Sequence, residues 1–111
     1  MASEIVPEKE GIYEKDGVLY VVGARYIARV ANALANETRT RILEILLDGP
    51  ADLDDLADVV GQSKANISSQ IRKLESVNIV TSRYLPGQRG IKKTVELNVR
   101  RIVLILAKPR R

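Results

Sequence analysis

Residues 63–77 place short polar and basic side chains along one side of a predicted helix. At about 100° per residue, Ile67, Ile71 and Leu74 share one side, which we expect to face the core. The first residue, the opposite arc and its flanks carry small, amide and basic side chains: Ser63, Lys64, Ala65, Asn66, Ser68, Ser69, Arg72, Lys73 and Ser76. Such residues let a helix approach base edges closely while Arg and Lys supply hydrogen-bond donors. The alternative is an ordinary amphipathic surface helix.

A second group of cations follows on two β-prone runs, residues 79–85 and 91–97. They flank a glycine-rich segment at 86–90, which predicts a hairpin with a loop at its tip. The polar and basic residues of this hairpin are Arg83, Gln88, Arg89, Lys92 and Lys93. An arginine between glycines can enter a minor groove or contact phosphate without steric conflict. A basic hairpin that faces only solvent is the alternative.

Other chemistry is largely excluded by composition. The chain has no Cys and no His, which excludes disulfides, thiol or imidazole catalysis and zinc sites built from these residues. We find no nucleophile and base pair and no phosphate-binding loop, so we predict neither an enzyme nor a cofactor. Four acidic residues could form a hard-cation site, but we favour a solvated first helical turn and predict no metal: Asp52, Asp54, Asp55 and Asp58.

Charge is strongly polarised along the 111 residues, which have the size of one domain. Residues 1–60 hold 6 Lys/Arg against 12 Asp/Glu, a net charge of −6, whereas residues 61–111 hold 12 against 2, a net charge of +10. This asymmetry directs a basic face towards a polyanion, most simply nucleic acid. The longest apolar run, 102–107, is too short to span a membrane, and the start lacks a signal peptide, so we expect a cytoplasmic, nucleoid-associated protein.

The first half of the chain predicts a hairpin and two helices. Asp16-Gly17 suits a tight turn between β-prone stretches in 12–22, and Gly23 closes the hairpin. The 24–34 stretch repeats apolar residues at i, i+3, i+4 and i+7, which predicts a helix. Its apolar residues also suit a symmetric dimer, and we assign this role to Tyr26, Ile27, Val30, Ala31 and Leu34. Asn36 is a candidate cap for a second helix that ends at Asp48-Gly49-Pro50.

The next two helices follow each other closely. Asp52 caps a short helix over 53–60, Gly61 ends it, and Ser63 caps the helix that runs to Val77. So short a turn makes the two helices cross steeply, which is a helix-turn-helix. With the two hairpins, the fold class is α+β. We divide the chain into an N-terminal extension (1–23), a winged helix DNA-binding domain (24–98) and a C-terminal apolar segment with a basic tail (99–111).

Residues 102–106 are rich in β-branched side chains and uniformly apolar. A buried strand and a dimer-contact segment both fit this composition, and we favour a strand.

Three sequence segments together resemble ArsR-type winged helix transcriptional regulators. They are LANETRTRILEIL at 34–46, LxxLAxxVGxS at 53–63 and ISxxIxxL at 67–74. The resemblance covers about residues 24–97 and implies a homodimer on double-stranded operator DNA. It places the 63–77 helix in the major groove and the 83–93 wing on the backbone or in the minor groove.

The sequence departs from this family at two places. Metal-sensing members carry two cysteines where this chain has Asp52 and Asp54, and carboxylates do not replace thiolates for a thiophilic metal. The N-terminal hairpin and the 102–106 segment exceed the core pattern and resemble archaeal variants. Two alternatives to a specific regulator remain: a weakly specific chromatin-like DNA-binding protein, and a winged helix subunit that binds other proteins.

Overall fold

The computed structural model describes residues 9–87 and 90–106, which form four helices and six strands. The predicted N-terminal hairpin is confirmed: β1 (Gly11–Lys15) pairs with β2 (Val18–Val22) in antiparallel register. Asp16 and Gly17 have φ angles of 52° and 76°, and two positive φ angles are what a two-residue hairpin turn requires.

Helices α1 (Ala24–Leu34) and α2 (Glu37–Leu46) follow as predicted. Asn36 caps α2, because its side chain accepts a hydrogen bond from the Arg39 backbone N–H at 3.1 Å. In α1, the structure buries Val30 and Ala33 and exposes Ala31. The buried stripe of α1 therefore passes through Val30 and Ala33, which are spaced i and i+3, and leaves Ala31 on the surface.

The helix-turn-helix is confirmed as α3 (Leu53–Val60) and α4 (Lys64–Glu75). Asp52 and Ser63 cap them through hydrogen bonds of 2.8 and 3.1 Å to backbone N–H groups. Gly61 ends α3 in the left-handed conformation, with φ at 76°. α4 ends at Glu75, two residues before Val77, where the helix was predicted to end. Val77 is nevertheless buried.

A three-stranded sheet carries the wing, in the order β3 (Ala51–Asp52), β5 (Gly90–Leu97), β4 (Val80–Gly87). The predicted loop at 86–90 was too long, because Pro86 pairs with Ile91 and Gly87 with Gly90. Strand pairing therefore continues almost to the tip. The strand β3 was not predicted, since a two-residue strand has no periodicity to detect.

A second sheet joins the two ends of the described chain, in the order β1, β2, β6 (Arg101–Ile105), with β6 parallel to β2. The predicted C-terminal strand is confirmed, but it is not buried, since Leu104 remains 47% exposed. Leu19 and Val21 of β2 enter the same core as the buried residues of all four helices. No helix within the described ranges is long and apolar enough to cross a membrane.

Candidate nucleic-acid interface

One face of helix α4 packs against the core, and the other face is exposed. Ile67, Ile71 and Leu74 are fully buried, as predicted, and fix the helix against the core. The sequence-predicted contact residues divide by burial, and Ser68 and Ser69 are half-buried at the margins. The exposed ones are Ser63, Lys64, Ala65, Asn66, Arg72 and Lys73. The helix thus presents donors, acceptors and small side chains from a fixed backbone.

Side-chain hydrogen bonds connect this face of α4 to α2. Gln70 donates from Nε2 to Asn66 Oδ1 at 3.4 Å, and Asn66 donates from Nδ2 to Gln62 Oε1. Gln62 donates from Nε2 to Thr38 Oγ1 at 2.8 Å, which returns the series to α2. The exposed Asn66 is therefore held from two sides.

The other end of this series is Arg39, a residue that the sequence reasoning missed. Arg39 as a whole residue is only 5% exposed, and its guanidinium donates from Nη1 to Gln70 Oε1 at 2.6 Å. It also donates from Nε to Ala33 O at 2.6 Å and from Nη2 to Asn32 O at 3.0 Å. These carbonyls lie in the last turn of α1, where acceptors lack helical partners and the helix dipole favours a cation.

A sequence signal for Arg39 exists. Arg39, Ile42 and Leu46 are spaced i, i+3 and i+7, so the arginine lies on the buried stripe of α2. A charged residue at such a position must find hydrogen-bond acceptors, because burial without them is costly. Arg39 ties α1, α2 and α4 together.

The two faces of the wing differ. Neighbouring residues of a strand point to opposite faces, and cross-strand partners share one. The register pairs Lys93 with Tyr84, and the ammonium lies 5.9 Å from the centre of the tyrosine ring. The register pairs Lys92 with Leu85 on the other face. The two lysines therefore extend from opposite faces of the hairpin.

Several predicted contact cations form ion pairs with acidic residues of the chain. Arg83 Nε lies 2.6 Å from Glu96 Oε1, and Lys92 Nζ lies 3.8 Å from Asp52 Oδ2. Lys64 Nζ of α4 lies 3.2 Å from Asp54 Oδ1. Each pair includes a largely exposed cation, so it contributes at most about 1 kcal/mol and can exchange for phosphate. Gln88 and Arg89, the predicted tip contacts, lie outside the described residues.

The acidic start of α3 has structural roles. Asp52 caps the helix, and both Asp52 and Asp54 pair with lysines. Within 9–87 and 90–106, no three acidic side chains are grouped so that they could hold a metal ion.

The predicted dimer residues of α1 also divide by burial. Ala31 is exposed, and Tyr26, Ile27 and Leu34 are half-buried against the core. Val30 is completely buried in the core of its own protomer. Its assignment as a dimer contact is therefore wrong, because it has no surface left for a partner.

The comparison with known families agrees with this geometry. Residues 36–82, from the cap of α2 into the first wing strand, match the model of the bacterial regulatory protein, arsR family. Over these residues the chain is similar to the arsR family. The matched stretch contains α2, the helix-turn-helix and the first residues of β4.

Curated relatives that match about half of this chain are named as regulators. The HTH-type transcriptional regulator CmtR of Mycobacterium tuberculosis is 38% identical over 58 residues, which are 52% of this chain and 49% of CmtR. The HTH-type transcriptional regulator NmtR of the same species is 35% identical over 57 residues, 51% of this chain and 48% of NmtR. The chain spans about half the length of these relatives. Their names describe regulators rather than enzymes, in agreement with the prediction.

Solved structures share the fold. The solution structure of Mb0332 from Mycobacterium bovis is 28% identical, with a TM-score of 0.57 over 65% of this chain and 63% of that one. It is described as a homodimeric winged helix-turn-helix DNA-binding domain of a possible ArsR-family transcriptional regulator. HlyU from Vibrio cholerae is 25% identical, with a TM-score of 0.56 over 64% of this chain and 73% of HlyU. The likeness to archaeal variants stays a prediction.

Proposed function

We propose that this protein is a sequence-specific, double-stranded DNA-binding transcriptional regulator whose 24–98 segment is the DNA-binding unit. The observation that carries the proposal is the exposed polar face of α4, fixed from behind by three fully buried side chains. The N-terminal part of such a helix enters the major groove. The C-terminal half of the chain supplies the net positive charge that the phosphates attract. Such a regulator acts on the nucleoid in the cytoplasm.

The contacts follow from position and charge. Residues near the start of α4 approach base edges, with Lys64, Asn66, Ser68 and Ser69 as the groove contacts. Arg72 and Lys73 lie further along the helix. On the wing, Lys93 is the strongest phosphate contact, because no acidic residue pairs with it within the described ranges. Arg83 and Lys92 first exchange their acidic partners for phosphate.

Substitution of a groove contact tests this assignment. We expect Ser69→Ala to weaken binding to a selected operator more than binding to a scrambled duplex, because a hydrogen bond to a base is lost. Ser76→Ala removes the same hydroxyl at the far end of α4 and should leave the ratio unchanged. Fluorescence anisotropy on both duplexes gives the ratio, and equal losses for Ser69→Ala on both would make Ser69 a phosphate contact.

We propose that the regulator acts as a homodimer, which is how the Mb0332 domain is described. The exposed and half-exposed side chains of α1 suit a symmetric contact: Tyr26, Ile27, Ala31 and Leu34. At micromolar concentration we expect light scattering to give the dimer mass and Ala31→Glu to give the monomer mass. A monomeric wild-type protein would contradict the dimer, and dissociation by Leu104→Glu instead of Ala31→Glu would move the contact from α1 to β6.

A further inference from the structure

The buried Arg39 determines which group donates and which accepts in the hydrogen bonds between α2 and α4. A guanidinium can only donate hydrogen bonds. The oxygen of the Gln70 amide must therefore face Arg39, as the 2.6 Å contact from Nη1 shows. The Gln70 nitrogen then points away and donates to Asn66 Oδ1.

The same direction continues through Asn66. Because Asn66 Oδ1 accepts from Gln70, its nitrogen faces Gln62 and donates to Gln62 Oε1. The Gln62 nitrogen donates in turn to Thr38 Oγ1. A hydroxyl accepts or donates, so Thr38 tolerates either direction and leaves the choice to Arg39.

Asn66 keeps hydrogen-bonding capacity beyond this series. Its amide has two N–H donors and two oxygen lone pairs, and the contacts with Gln62 and Gln70 use one of each. One donor and one acceptor remain on an exposed side chain in the first turn of α4. This pair matches adenine in the major groove, where N7 accepts and the N6 amino group donates.

We propose that Asn66 reads an adenine and that Arg39 and Gln70 are positioning residues which fix the direction of its amide. The proposal rests on the proposed function, since it requires α4 to enter the major groove. An amide rotated by 180° presents its donor to the adenine donor and its acceptor to the adenine acceptor. The correct rotamer is thus set before DNA arrives, from a buried charge on another helix.

Gln70→Glu tests the direction while keeping a partner for Arg39. A carboxylate accepts from Arg39 as the amide oxygen does, but it also accepts from the Asn66 nitrogen, and so reverses Asn66. Arg41→Gln is the matched control, because it changes the net charge by the same amount on an exposed residue of α2 that lies outside the proposed contact set. Asn66→Ala removes the reading group itself.

The full-length wild type and the three variants each select duplexes from a randomised DNA pool, and the enriched base frequencies are compared. We expect one adenine per half-site to be preferred roughly 5- to 150-fold by the wild type and by Arg41→Gln. Asn66→Ala and Gln70→Glu should both lose this preference, and the melting temperature of Gln70→Glu should not fall.

Three outcomes would overturn the inference. Wild-type adenine preference in Asn66→Ala would show that another residue reads the base. Wild-type preference in Gln70→Glu would show that Arg39 and Gln70 do not set the amide direction. If the wild type enriches no sequence at all, the proposed function fails together with the inference, whereas enrichment that is insensitive to both variants leaves the DNA-binding function standing.

Discussion

The recognition helix α4 and the wing present cations and polar groups in opposite ways. On α4, Asn66 belongs to a hydrogen-bonded series that ends on the buried Arg39. On the wing, Arg83 and Lys92 are exposed and held only by ion pairs with Glu96 and Asp52. The first arrangement fixes the direction in which the Asn66 amide points, whereas the second only supplies positive charge.

We propose that this difference gives the two regions different parts in DNA binding. A side chain with a fixed direction discriminates among bases, because their donor and acceptor patterns differ in the major groove. A mobile cation recognises phosphate, which is the same in every sequence. We therefore expect specificity from α4 and salt-dependent affinity from the wing.

The largest expected effect is the removal of charge from the wing. Arg89, Lys92 and Lys93 together changed to Ala should weaken binding to all sequences, because each phosphate contact adds about 0.9 to the slope of log K against log salt. The slope should flatten by roughly two to three units if each cation meets one phosphate. Binding measured across a salt series gives the slope.

Arg101→Ala is the control for this variant, since Arg101 is an exposed cation on β6. An unchanged slope in the triple variant, with the circular dichroism spectrum intact, would show that the wing does not contact phosphate.

The next effect concerns the anchor of α4. Arg39→Met removes the three hydrogen bonds that the guanidinium donates to Asn32 O, Ala33 O and the Gln70 amide oxygen, although Asn32 O still accepts from the Ala35 backbone N–H at 3.3 Å. At about 1 kcal/mol for each lost hydrogen bond, unfolding should become easier by about 3 kcal/mol. Urea unfolding measures this, with Arg41→Met as an exposed control that should change stability by less than about 0.5 kcal/mol. Equal midpoints for the two variants would refute the anchoring role.

Most of the helical framework follows from the sequence, because local signals determine it. Capping residues such as Asn36, Asp52 and Ser63 act within three residues, and their hydrogen bonds occur as predicted. The parallel pairing of β2 with β6 joins segments at opposite ends of the chain, and no local pattern specifies it. The position of Val30 likewise depends on what packs above α1, so the sequence alone did not separate core from dimer surface.

The candidate site was predicted as a set of residues but not as an arrangement. The polar arc of α4 follows from helical periodicity, which places Asn66 and Arg72 on the exposed side. The contact between Arg39 and Gln70 spans 31 positions and joins two helices, so it required the structure. The same holds for the ion pair of Lys92 with Asp52.

The smallest expected effect is the release of one cation from its ion pair. Asp54→Asn frees Lys64 for DNA and should strengthen binding by at most about fivefold, because an exposed ion pair contributes at most about 1 kcal/mol. Asp58→Asn, an exposed acidic residue on the same helix, is the control for charge alone. Titration of a scrambled duplex compares them, and equal gains in both would mean that the Asp54 pair has no specific role.

The central claim is that this protein recognises a particular DNA sequence, and one comparison tests it most directly. The full-length wild type is titrated at physiological salt with a duplex selected from a random pool and with a scrambled duplex of equal composition. We predict a preference on the order of 10³-fold or more for the selected duplex. Equal affinity for both duplexes would contradict it and would indicate a weakly specific chromatin-like protein.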